Sequence, residues 1–225
     1  MTTTRNTQRS ETPDTSTINH PQGRLYAIEG IDGVGKSSQI ERLAADLRSK
    51  NRRVQTTRDP GGTPVGLKLR ELLLDSKLTI HRRTEAMLFM ASRCEMVESS
   101  IIPWLEAGDD VITDRFLLSN VVYQSLASDG SPGPIQPESL WEVGNWSIGH
   151  LKVHQTFLLD LPAEVAMQRV GQDRDRMESR GVGYLEAVRQ QFLEQAQNSA
   201  SHVTVLDASL SIDEVTEQML ASLVD

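Results

Sequence analysis

The chain has 225 residues, 38% hydrophobic and 24% charged, with 23 Lys and Arg against 31 Asp and Glu for a formal net charge of -8. That length suits one domain around a sizeable core, and the acidic balance excludes a duplex nucleic-acid binder, which needs a concentrated basic face to displace phosphate counterions. A single cysteine, Cys94, five scattered histidines without metal-ligand spacing and no apolar run of membrane-spanning length predict a cytoplasmic chain without disulfide, structural zinc or membrane anchor.

Residues 1–23 are rich in Thr, Ser, Asn, Gln and Arg, and their one aliphatic residue, Ile18, offers too little apolar surface to offset ordering entropy. A disordered tail is expected there, with the folded domain over 24–225. Strands are predicted at Leu25 to Glu29, Arg53 to Thr57, Asp110 to Thr113, Thr156 to Leu159 and Val203 to Leu206. Helical patterns fill the intervals, including Leu67 to Leu74 and Thr84 to Leu105. Strands separated by long helical stretches need crossover connections, so the expected fold is a three-layer α/β domain with a five-stranded parallel sheet. The loop richest in turn formers, Ser128 to Pro137, is too short to link two domains.

The most specific motif is Gly30-Ile-Asp-Gly-Val-Gly-Lys-Ser37, a match to G-x-x-x-x-G-K-[ST] between the first strand and a helix. Its glycines let successive N–H groups turn inward onto phosphate oxygens, and the following helix presents its positive dipole end to them. ATP is therefore expected on Gly30, Ile31, Asp32, Gly33, Val34, Gly35, Lys36, Ser37 and Ser38. Lys36 would hold the β and γ phosphates and the Ser37 hydroxyl would ligate Mg²⁺. No guanine-reading Asn-Lys-x-Asp is present. Asp114 closes the third strand with Arg115 beside it, where Asp114 could orient hydrated Mg²⁺ and Arg115 a phosphate; a plain strand-end ion pair is the alternative.

Arginines recur where a second phosphate would need them. Arg58 follows the second strand in Thr57-Arg-Asp-Pro-Gly-Gly-Thr63, and Phe89 and Arg93 share a helix face at i, i+4. Phe89 could stack on a base while Arg93 grips a phosphate, although an aromatic on a helix is more often core.

Taken in order, Ile28 to Ser37, Thr57 to Thr63, Leu69-Arg-Glu-Leu-Leu-Leu74, Phe89 to Arg93, Asp114-Arg-Phe116 and Ser119-Asn-Val-Val-Tyr-Gln124 resemble the thymidylate kinases. The resemblance covers most of the chain from Arg24 and implies a P-loop nucleoside monophosphate kinase fold, phosphorylation of dTMP by ATP with Mg²⁺, and a homodimer. By that resemblance Asp32 lies near the deoxyribose 3′ hydroxyl, Phe89 stacks on thymine, Asn120 reads the base edge and Tyr123 crowds out a ribose 2′ hydroxyl. Arg58, Arg93 and Arg115 bind the dTMP phosphate, with Ser119 and Gln124 completing the acceptor site. The charged stretch Gly171-Gln-Asp-Arg-Asp-Arg-Met-Glu178 looks like the mobile lid of the family, at about 171–182. Because Val34 stands where some relatives carry an arginine, the catalytic arginine is expected in the lid, as Arg174 or Arg176. Asp59 replaces the family's usual glutamate, and Val153-His154 replaces its usual Pro-Asp. Two alternatives remain open: another nucleoside or nucleoside monophosphate kinase of this fold, or a nucleotide-binding module without catalysis.

Overall fold

Alternation along β1 (Leu25–Glu29) sorts its side chains onto two cores. Tyr26 and Ile28 join one apolar cluster, Leu25 and Ala27 the other. A strand buried on both faces belongs in the middle of a sheet covered by helices on both sides. The computed structural model has that arrangement: β2 (Val54–Arg58), β3 (Asp110–Asp114), β1, β4 (Gln155–Asp160) and β5 (Val203–Asp207) lie side by side in that order. All four pairings are parallel. The predicted strands are all present, most of them one residue longer at the carboxyl end. The structure describes residues 23–75, 77–169, 181–199 and 202–223. Nearly all of the predicted tail and most of the predicted lid, with Arg174 and Arg176, lie outside the described residues.

The helices among the described residues are α1 (Lys36–Ser49), α2 (Pro64–Leu74), α3 (Arg82–Met96), α4 (Ile102–Glu106), α5 (Leu117–Ser125), α6 (Pro137–Ile148), α7 (Ala163–Arg169), α8 (Val182–Asn198) and α9 (Ile212–Ala221). Leu43, Ala44 and Leu47 of α1 and Val188 and Phe192 of α8 fill the first core; Met90, Met96 and Leu140 help fill the second. Each such apolar side chain removed from water contributes about 1.5–3 kcal/mol against chain entropy. The single helix expected over Thr84 to Leu105 is helical throughout but passes through a π turn at Val97–Ile101. Pro103 explains the turn, because it has no N–H for the Ser99 carbonyl and its ring crowds that oxygen.

Local chemistry fixes where two of the helices start. Thr63 caps α2, its Oγ1 accepting from Gly66 N–H at 2.9 Å, with Pro64 in the first turn. Ser211 and Glu214 form a reciprocal capping box at the start of α9. The parallel register brings the strand tips together: both Ile28 and Arg58 sit beside Asp114, and Glu29 sits beside Leu158. Strand order reverses around β1, so the crevice at these carboxyl ends is where an open α/β sheet binds ligands. Among the described residues no helix is long and apolar enough to cross a membrane.

Candidate active site

The glycine loop between β1 and α1 is shaped by what surrounds it. Gly30 has φ +131°, and a Cβ there would sit 2.5 Å from the Leu159 carbonyl oxygen, so only glycine lets the chain leave β1 against β4. Gly35, at φ +98°, caps α1 with open space where its side chain would be. The first N–H groups of a helix have no intrahelical acceptor, and such a helix start is the arrangement that receives phosphate. The Lys36 ammonium folds over the loop, donating to the Ile31 carbonyl at 2.9 Å, the Gly30 carbonyl at 3.3 Å and Asp32 Oδ1 at 3.0 Å. Burial, reinforced by the Arg115 charge, lowers the Lys36 pKa against the pull of Asp32. Burial alone would raise the Asp32 carboxyl, but the Arg115 and Lys36 cations hold it well below the usual carboxylate range.

At the tip of β3 the chain turns through Arg115 in the left-handed region, φ +67°, a conformation costing a non-glycine residue about 1–3 kcal/mol. The surroundings enforce it. Arg115 N–H donates to the Ile28 carbonyl at 3.0 Å, and the Thr113 hydroxyl donates to the Arg115 carbonyl at 2.7 Å. The guanidinium reaches back across the loop to the Gly30 carbonyl at 2.8 Å, Ser119 Oγ at 3.0 Å and Asp32 Oδ1 at 2.7 Å. It also lies 5.3 Å from the Tyr123 ring centroid. The plain strand-end ion pair is therefore not what forms: Arg115 pairs with Asp32, and Asp114 Oδ1 is buried with no hydrogen-bond partner among the described residues. Asp114 and Ser37 line the same two cavities. Two hard oxygen ligands suit Mg²⁺, which keeps several waters and takes the rest of its shell from phosphates. No cluster of three or more acidic, His or Cys ligands occurs among the described residues.

A cavity of about 290 Å³ opens between these tips and helices α2, α3 and α5. Its lining includes Asp32, Ser37, Arg58, Phe89, Arg93, Asp114, Arg115, Ser119, Asn120, Tyr123 and Gln124, so the acceptor residues expected from sequence converge on one space. Phe89 is half-buried and belongs to neither apolar core, which separates it from the ordinary helix aromatic. Arg58 is exposed, and its guanidinium makes no hydrogen bond with the described residues.

Arg93 is arranged differently from the sequence expectation. Its buried guanidinium donates to Asp59 Oδ2 at 2.5 Å, Asn120 Oδ1 at 2.9 Å and the Phe116 carbonyl at 3.4 Å. Asn120 in turn donates to Gln124 Oε1 at 2.8 Å. With its donors taken this way, Arg93 fixes the polar wall beside Phe89 and is not free to clasp a phosphate with a two-pronged fork. The orphaned groups in this wall are Asp59 Oδ1, Tyr123 Oη and Gln124 Nε2, all buried without a partner among the described residues. Burial pushes the Tyr123 hydroxyl pKa up, so it stays protonated.

Sequence reasoning missed three parts of the site. Arg70 of α2 lines the cavity and donates to the Pro60 carbonyl at 3.1 Å; it lay within a quoted motif but its direction depended on how α2 docks. Glu29, quoted only as a neighbour of the loop, receives the start of α5. The third part is the wall of a second cavity of about 640 Å³, where residues Asp32 to Gln39 face Arg169, Ala208, Leu210, Ser211, Ile212 and Val215. The position of that segment just after β5, at the carboxyl edge of a parallel sheet, was the signal that could have found it. Both cavities share Asp32, Ser37 and Asp114. Cys94 is half-buried on α3.

Comparison with known proteins agrees with this geometry. Residues 28–219 match the thymidylate kinase family. The chain is 56% identical over 207 residues to a thymidylate kinase of Rhodopirellula baltica, covering 92% of this chain and 82% of that protein. It is 40% identical over 197 residues to a thymidylate kinase of Bifidobacterium longum subsp. infantis, covering 86% and 82%, respectively. A thymidylate kinase of Thermosipho africanus is 38% identical over 192 residues, 85% of this chain and 92% of its own. With the match running from β1 to α9 and through every strand tip that lines the two cavities, the chain belongs to the thymidylate kinase family.

Proposed function

We propose that the protein transfers the γ-phosphoryl group of ATP to dTMP, giving dTDP and ADP. The observation that carries this reading is the pair of cavities meeting at Asp32, Ser37 and Asp114, one walled by the glycine loop and the other by Arg58, Phe89, Arg115 and Asn120. Two nucleotides laid end to end would bring their phosphates together at that meeting point, the near-attack placement a phosphoryl transfer needs.

The residues divide the work by chemistry. Backbone N–H groups of Gly30 to Ser38 cradle the triphosphate, and Lys36 exchanges its contacts with the Gly30 and Ile31 carbonyls for phosphate oxygens. Ser37 and Asp114 would hold Mg²⁺, which would supply positive charge to the transferring phosphates. A phosphate oxygen of dTMP attacks the γ phosphorus as the bond to the β–γ bridging oxygen breaks, and that oxygen leaves with ADP. The attacking oxygen is already ionised, so no general base is required. Arg58 and Arg115 neutralise the acceptor phosphate, with Asp32 positioned toward the sugar. Phe89 stacks on the base, Arg93 orients Asn120 and Gln124 against its edge, and Tyr123 fills the space a 2′ hydroxyl would take. The lid, with Arg174 or Arg176, closes over the transferring group and excludes water.

The domain is read as 24–225 preceded by a tail, in the cytoplasm, where ATP and dTMP are available. Two chains pair through α2, α3 and α6, whose shared groove is lined by Val65, Leu69, Ala91 and Val143 and rimmed by Trp146, 80% exposed. A coupled assay of ADP release with dTMP, dUMP, dCMP, dGMP and deoxythymidine as acceptors tests the function. The fastest turnover is expected with dTMP; a preference for another acceptor would transfer the reading to a sister kinase, and ATP binding without acceptor-dependent ADP release would reduce it to a binding module.

A further inference from the structure

Glu29 is fully buried at the tip of β1, touches neither cavity of the nucleotide site, and has no place in the chemistry described so far. Three donors from the start of α5 converge on it. Oε1 accepts from Phe116 N–H at 2.8 Å and Ser119 N–H at 3.2 Å, and Oε2 accepts a short bond from the Ser119 hydroxyl. The same Ser119 oxygen accepts from Arg115 Nη1 at 3.0 Å. Thus the carboxylate grips the residue that follows Arg115 in sequence and, through one hydroxyl, the Arg115 side chain itself.

This grip falls on the strained turn. Left-handed backbone at a non-glycine residue persists only where neighbours over-determine it. From β1, the Ile28 carbonyl holds the Arg115 N–H and the Glu29 carboxylate holds the next one. We propose that Glu29 is a positioning residue for phosphoryl transfer, fixing Arg115 through Ser119 and the Phe116 amide so that the guanidinium faces the acceptor phosphate. The inference rests on the dTMP kinase reading and adds a residue that touches no substrate.

The charge state of Glu29 bears on the test. Burial pushes its pKa up to about 7, against the Ser119 hydrogen bond, the Arg115 charge and the two backbone donors that favour ionisation. Arg115 is the charged group facing it from the β3–α5 turn, and Lys152 and His202 line the groove on its far side. A carboxyl whose pKa is raised in the fold contributes stability that is full below the usual glutamate range and lost as pH rises through about 7. The ionised form, by contrast, is acceptor-only and holds the three donors more strongly than the neutral acid. Function and stability should therefore move in opposite directions across neutrality, which a merely structural carboxyl would not do.

The experiment compares wild type, Glu29→Gln, Ser119→Ala and the double variant in the ADP-release assay. Glu29→Gln is expected to lower kcat/KM for dTMP by about 10- to 100-fold, the scale of a misplaced reacting group, with KM for ATP changed less than about twofold. The wild-type to Glu29→Gln ratio of kcat/KM should rise from about pH 6 to about pH 8 while the thermal midpoint of wild type relative to the variant falls. Taking this ratio cancels the ionisation of dTMP itself. The double variant should be no worse than the poorer single variant, because both break one connection. Equal losses for ATP and dTMP, a ratio flat with pH, or additive effects would each overturn the proposal. Should Glu29→Gln fail to fold, Glu29→Asp keeps the charge and shortens the reach: weakened dTMP with normal ATP affinity supports the proposal, and unchanged dTMP overturns it. Wild-type enzyme inactive toward dTMP would instead refute the functional reading.

Discussion

Replacing Phe89 by alanine separates two readings of an aromatic on a helix, and the structure sets the expected size of each effect. A Phe in a core loses about 3–5 kcal/mol of stability on truncation to alanine. Phe89 is half-buried and outside both apolar clusters, so its truncation should cost about 1 kcal/mol or less, lowering the thermal midpoint by about 2–4 °C for a chain of this size. Its ring lines the acceptor cavity beside Asn120 and Gln124, where stacking on a base is worth about 1–3 kcal/mol. The corresponding rise in KM for dTMP is about 5- to 150-fold, with KM for ATP unchanged. Initial-rate kinetics with each nucleotide varied, paired with differential scanning calorimetry, measure both quantities on one preparation. Phe89→Leu should keep the midpoint and recover only part of the affinity, since it restores bulk without a π face. A midpoint lowered by more than about 8 °C with unchanged KM for dTMP would refute the reasoning and return Phe89 to the core.

Arg58 is exposed and makes no hydrogen bond with the described residues, so Arg58→Ala should raise KM for dTMP by about 10-fold or more through loss of a charge-assisted phosphate contact. Calorimetry on the same variant should show an unchanged midpoint, and a large drop there would contradict its placement. Arg174→Ala and Arg176→Ala, compared one at a time, should include one variant whose turnover falls by about 10³-fold or more with ATP affinity preserved, as for arginines that reach a transferring phosphoryl group. Near-normal turnover in both would remove the catalytic arginine from the lid. Trp146→Glu places a charge on the apolar groove between α3 and α6, and sedimentation velocity is expected to report a dimer for wild type and a monomer for the variant. Equal sedimentation of the two proteins would exclude that face from the dimer.

Fold class and the location of the candidate nucleotide site were legible in the residues alone because both depend on short-range rules. The short apolar run beginning at Leu25, glycine spacing in Gly30–Gly35 and acidic or basic residues at strand ends are read within a few positions of each other. Side-chain direction was not legible. Arg93 shares a helix face with Phe89, yet its guanidinium is captured by Asp59, 34 residues away in sequence, because the edge position of β2 brings the two together. Arg115 pairs with Asp32 across 83 residues instead of with the adjacent Asp114, and that choice leaves Asp114 Oδ1 without a hydrogen-bond partner among the described residues. Glu29 carried no local signal at all, since its three donors come from α5 and reach it only because β3 lies beside β1. The sequence by itself determined the phosphate loop, the parallel sheet and most of the residues gathered at its tips. Only the tertiary structure decided which charges neutralise one another and which remain for ligands, because those pairings follow from strand order and packing, which no stretch of neighbouring residues encodes.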